Sequence, residues 1–115
     1  MKEITQGKTT VSPEVLTTIA SMAALEVPGV SRLAPVSGGV NRLFRRGTSD
    51  GVRIEAKENT VFVDLFLILK DGVNIREVGR NVQQNVARSI QEMVGMEAGE
   101  INVHIEDIDF DEDEA

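Results

Sequence analysis

The feature that most constrains this chain is the run Val61-Phe62-Val63-Asp64-Leu65-Phe66-Leu67-Ile68-Leu69-Lys70. Its odd positions are all aliphatic, so alternation makes them one face of a long β-strand. Its even positions are Phe62, Asp64, Phe66, Ile68 and Lys70, three of them apolar. A strand apolar on both faces is expected at the centre of a sheet, or with its second face against a partner.

The flanking segments set the fold class. Upstream, Val52-Arg53-Ile54-Glu55-Ala56-Lys57 alternates apolar and charged residues as a half-buried strand does. Glu58-Asn59 joins the two as a tight turn, since Asn tolerates left-handed backbone. Downstream, Asp71-Gly72 closes the long strand. Ile75, Val78, Val82, Val86, Ile90 and Met93 then recur at helical spacing, behind Asn74 and Glu77 in a capping-box arrangement and ahead of a stop near Gly95. A final strand is read from Glu100 to Ile105, with a bulge or an end where the apolar phase shifts to Ile108 and Phe110.

The first third reads as a strand over residues 4–11, then a helix started by Ser12-Pro13-Glu14 and ended by Pro28-Gly29. Val15, Leu16, Ile19, Ala20, Met22 and Ala23 form its apolar stripe. Residues 30–33 can be a further short strand, and residues 36–50 are a Gly/Arg-rich loop. The order β-α-β-β-β-α-β predicts an α+β two-layer sandwich, with two amphipathic helices on one face of a mostly antiparallel sheet. One domain over residues 1–110 and an acidic, disordered tail at 111–115 complete the expectation.

Composition excludes several chemistries. There is no cysteine and one histidine, which removes thiolate metal sites, a Cys nucleophile and any multi-His metal centre, and no cofactor is expected. Seven of the 19 acidic residues fall in the last ten positions, leaving twelve acids against twelve bases elsewhere. A neutral body with an acidic end, and without Trp or Tyr, is poorly suited to nucleic acid. No apolar run approaches the ~20 residues of a membrane span, so the expectation is a soluble cytoplasmic protein.

Few residues suggest chemistry. His104 is the candidate for acid–base work by residue type, but it stands on the polar face of its strand, where a solvent-facing or interface role is the ordinary one. Asp64 is expected to face solvent or to pair with Arg53 across the hairpin. An enzyme built on these two requires both near one pocket. Arg42, Arg45 and Arg46 form the best anion-binding feature, suited to phosphate or to an acidic protein, and ground the alternative of a nucleic-acid-binding module. The acidic tail is ordinarily a solubilising end, but it can hold a cation, a basic partner or the Arg42–Arg46 loop. Phe62, Phe66 and Ile68 form an apolar face that needs cover, from the chain itself or by self-association.

Several segments resemble the alkaline shock protein family, the envelope stress response proteins of Gram-positive and related bacteria. They are Gly7-Lys8, Val11-Ser12-Pro13-Glu14-Val15, Ile19-Ala20 and Glu26-Val27-Pro28-Gly29-Val30 in the first half. In the second half they are Val61-Phe62-Val63-Asp64-Leu65, Gly72-Val73-Asn74-Ile75, Val82-Gln83, Asn85-Val86 and Ile101-Asn102-Val103-His104-Ile105. The resemblance covers residues 4–110 and implies a non-enzymatic role in cell-envelope homeostasis. It also implies self-association and recruitment to the membrane by a membrane-anchored partner. It assigns no chemical role to Asp64, Asn102 or His104, and it does not include the Arg42–Arg46 loop.

Overall fold

The computed structural model describes residues 7–35, 48–49 and 51–110. The first helix, α1 (Pro13–Leu25), starts as expected at Ser12, whose backbone is extended. Its carbonyl accepts from the Val15 and Leu16 amides at 3.0 and 3.4 Å, but its hydroxyl makes no capping bond. Residues 7–11 have no regular secondary structure, which corrects that part of the expected opening strand; residues 4–6 lie outside the described residues. The buried stripe of α1 is Leu16, Ile19, Ala20, Ala23 and Ala24. Val15 and Met22, expected in that stripe, are instead 44% and 56% exposed on the outer side of the helix.

Gly29 turns the chain out of α1 with φ of +103°, and a Cβ there would lie 2.8 Å from Val78. Both the left-handed backbone and the close approach of the second helix therefore demand glycine. Strand β1 (Val30–Leu33) follows. A two-residue strand β2 (Thr48–Ser49) lies inside the segment expected to be loop and pairs with β3 (Val52–Lys57). The β3–β4 hairpin turns at Glu58-Asn59 as predicted, because Lys57 pairs with Thr60. Glu58, not Asn59, takes the positive φ, at 56°.

Strand β4 (Thr60–Lys70) is the centre of the sheet, as its two apolar faces predicted. On one side β3 pairs antiparallel with residues 60–65 and β1 with residues 67–69, so the two strands lie end to end along a single edge. Phe66 marks the joint: its amide donates to the Gly51 carbonyl at 2.9 Å and its carbonyl accepts from the Ala34 amide at 2.7 Å. On the other side β5 (Glu97–Asp109) runs parallel to β4. The expected bulge falls at Glu106, since Leu67 pairs with Ile105 and Ile68 with Asp107.

Helix α2 (Ile75–Val94) makes the crossover between these parallel strands. Asn74 Oδ1 accepts from the Glu77 amide at 3.0 Å, and Gly95 closes the helix with φ of 74°. Val78, Val82, Val86 and Ile90 form its buried stripe, the one read from the sequence. They pack with α1 over the odd-numbered face of β4, where Val61, Val63, Leu65, Leu67 and Leu69 are at most 1% exposed. Asn85 Nδ2 donates to the Ala23 carbonyl at 2.8 Å and ties the two helices together.

Candidate interaction site on the open sheet face

The other face of β4 carries the mixed set Phe62, Asp64, Phe66 and Ile68. Register decides what each one meets. Phe66 pairs with His104 of β5, and their rings stack with centroids 4.6 Å apart and planes 14° from parallel. From β3, the Arg53 guanidinium lies 5.3 Å from the Phe66 ring centre. The Phe66 ring is thus flanked by an imidazole from one neighbouring strand and a cation from the other.

Asp64 supports this arrangement. Its Oδ1 accepts from Asn102 Nδ2 at 3.1 Å and lies 3.3 Å from His104 Nε2. Arg53 is its register partner on β3, yet the guanidinium is directed over Phe66 and Asp64 bonds toward β5. The carboxylate therefore fixes the imidazole edge while the aromatic ring fixes its face. At one end of the sheet Gly99 makes room for Phe62, since a Cβ at Gly99 would lie 2.5 Å from its ring. Glycine inside a strand pattern marks such close approach.

A clasp closes the opposite end. Arg32 of β1 donates to Asp109 of β5 from Nε at 3.0 Å and from Nη2 at 3.1 Å, and Ser31 Oγ adds a 2.7 Å bond to the same carboxylate. Because β1 and β5 flank β4, this bidentate pair reaches across the central strand. Hydrogen bonds from Arg32 and then Ser31 hold the Asp109 carboxyl below the usual aspartate range. Arg32 is the register partner of Ile68, which is only 4% exposed. Of the three apolar residues expected on this face, Phe62 and Phe66 contribute surface and Ile68 is buried.

The other candidates separate cleanly. Arg42, Arg45 and Arg46 lie outside the described residues, as does the tail from residue 111. Asp64 and His104, which an enzyme would need together, are in contact, with side chains 37% and 44% exposed. Neither lines either of the two cavities beside α2. A cavity of about 310 Å³ lies where the end of α1 meets α2, beside Asn85 and Arg88. Another of about 300 Å³ lies between α2 and β5. Among the described residues no cluster of three or more His, Asp or Glu side chains is placed to hold a metal, and no helix is long and apolar enough to cross a membrane.

Sequence and structure comparisons add kinship. A sequence model of the alkaline shock protein 23 family, described by its cell envelope-related function, matches residues 1–110. The chain is 33% identical over 107 residues to the uncharacterized protein YqhY of Bacillus subtilis, covering 91% of this chain and 79% of that one. It is 24% identical over 106 residues to YloU of the same organism, covering 89% and 88%. In fold it is similar to the MamM CTD, with a TM-score of 0.56 and 15% identity to a variant in its manganese form, covering 82% of this chain and 96% of that one. The copper form gives 0.55 and 16%, covering 82% and 84%. At such identity the likeness is one of fold alone.

Proposed function

The chain belongs to the alkaline shock protein 23 family, whose function is cell envelope-related, and from that membership we propose that it is a non-catalytic scaffold of the envelope stress response. In this reading residues 1–110 form one cytoplasmic domain that associates with further copies through the open face of its sheet. A separate membrane-anchored protein holds the assembly near the membrane, and the acidic end at 111–115 is an appendage. The span of the family match supports that domain boundary.

The observation that carries the reading is the stack of Arg53, Phe66 and His104 on a sheet face that the helices leave uncovered. Aromatic and arginine side chains are the groups enriched at the energetic centres of protein interfaces. Here Asp64, itself bonded by Asn102, holds the His104 ring that stacks on Phe66 before any partner arrives, which lowers the entropy lost on binding. The Asp64–His104 contact serves this positioning in our reading, and it lies outside the two cavities beside α2.

Sedimentation velocity at tens of micromolar tests the proposal. The wild-type chain should sediment as an assembly, and Phe66→Asp should sediment as a monomer with an unchanged circular dichroism spectrum. A wild-type monomer at every concentration, or a Phe66→Asp variant that still assembles, overturns it.

A further inference from the structure

The second cavity has a construction that the open face lacks. Its α2 wall is Ile75, Arg76, Gly79 and Arg80, and its β5 wall is Val103 and Ile105. Between the two walls runs the free edge of β5, because β5 pairs only with β4 among the described strands. Gln83 Nε2 donates to the Ile101 carbonyl at 3.0 Å, so that carbonyl points away from the β4 ladder. Pairing is regular from Ile101 to Ile105, and backbone groups alternate sides along a strand. The amides and carbonyls of Val103 and Ile105 therefore face the same free edge, beside the groove.

Gly79 is the second clue. It lies inside a twenty-residue helix and its φ is not in the left-handed range. A Cβ added there would meet nothing within 4 Å. The fold itself gives no reason for glycine, which is a poorer helix former than alanine. What its missing side chain does is deepen the groove. The third clue is charge. Arg76 and Arg80 are exposed along one wall, and among the described residues neither takes part in an ion pair. Ile75, on the same wall, is 46% exposed.

We propose that the groove between α2 and the free edge of β5 is a docking site for an extended segment of a partner protein in which apolar side chains alternate with carboxylates. Such a segment adds a strand to β5 through the backbone groups of Val103 and Ile105. Alternation sends its apolar side chains over Val103, Ile105 and the space left by Gly79. The intervening carboxylates meet Arg76 and Arg80, and arginine suits carboxylates because its fork binds both oxygens. The site lies on the helix side of β5 and shares no residue with the Arg53–Phe66–His104 stack.

The test titrates the full chain, isotopically labelled for NMR, with a capped synthetic peptide of alternating valine and glutamate. The amides of Val103 and Ile105 should shift and gain protection from exchange. The dissociation constant should rise by about tenfold or more in Arg76→Glu/Arg80→Glu, the loss expected when charge-assisted bonds become repulsive. Gly79→Leu, which fills the groove without disturbing the helix, should weaken binding similarly, and a valine–lysine peptide should not bind. Phe66→Asp should leave peptide affinity unchanged, so failure here is separable from failure of self-association. Equal binding of acidic and basic peptides, no binding, or shifts confined to the Phe66 face overturns the proposal. It is also overturned if Val103 and Ile105 are already protected in the free chain. Protection that rises with concentration would assign the groove to a second copy, and protection lost on removing residues 111–115 would assign it to the chain's own end.

Discussion

The two faces of β4 are built from adjacent residues of one strand, yet they do different work. The odd face is saturated: five aliphatic side chains are shut from water under two helices. The even face holds a ring, a carboxylate and a second ring in contact with an imidazole, an amide and a guanidinium. Stability resides mainly on the first face, where area is removed from water. In the proposed function recognition belongs to the second, where polar and aromatic groups are partly exposed.

Substitutions at neighbouring positions can break this contrast. Leu65→Ala should destabilise the chain by about 2–5 kcal/mol, because the cavity it leaves lies in a closed layer. Phe66→Ala, one residue along, should lose only about 1 kcal/mol, the range of an ordinary single substitution. Chemical denaturation of both variants measures the difference, and equal losses would erase it. Gly99→Val asks how rigid the open face is. Its side chain would collide with the Phe62 ring, for an expected loss of about 1–3 kcal/mol.

Gly79→Ala sharpens the contrast from the helix side. If glycine serves only the groove, alanine should stabilise the free chain by about 1 kcal/mol, seen as a higher denaturation midpoint. A loss of stability would mean that the fold needs Gly79 after all. The smallest effect concerns the clasp. The Asp109 carboxyl is held below its usual range by Arg32, so the folded state takes up its proton later than the unfolded state as pH falls. The stabilisation is complete above the ordinary carboxylate range near pH ~4 and disappears as pH drops through the lower, folded value. Asp109→Asn should flatten that part of the stability–pH curve, with a small loss at neutral pH that vanishes in acid, small because the pair is exposed to solvent.

Much of the inner face was legible in the sequence, because it depends on periodicity alone. The stripe Val78–Val82–Val86–Ile90, the alternation of β4 and the two-residue hairpin turn are local patterns with one reading each. Contacts set by register were not legible. Nothing in the sequence says that β5 lies parallel to β4 with His104 opposite Phe66, or that Arg53 turns to the ring instead of to Asp64. Gly99 precedes the strand read from Glu100, so its close approach to Phe62 was not legible either. The groove was invisible for the same reason: Gly79 and Val103 meet only after the crossover is made. Val15 and Met22 fitted the helical period of α1 as well as Leu16 did, and period alone does not locate the edge of a buried stripe. Arg42, Arg45 and Arg46 remain a sequence feature outside the described residues.

The joint at Phe66 bears on how this chain can be altered. Ala34 and Gly51 are both hydrogen-bonded to that one residue, so the excursion between them leaves and returns at a single point on the sheet edge. The strands on either side take their register from β4, not from the length of the excursion. For a loop whose ends are already pinned, each doubling of length adds only about 0.6 kcal/mol of closure entropy. The alignment of β1 with β3 is therefore set at Phe66 and does not depend on how much chain lies between Ala34 and Gly51.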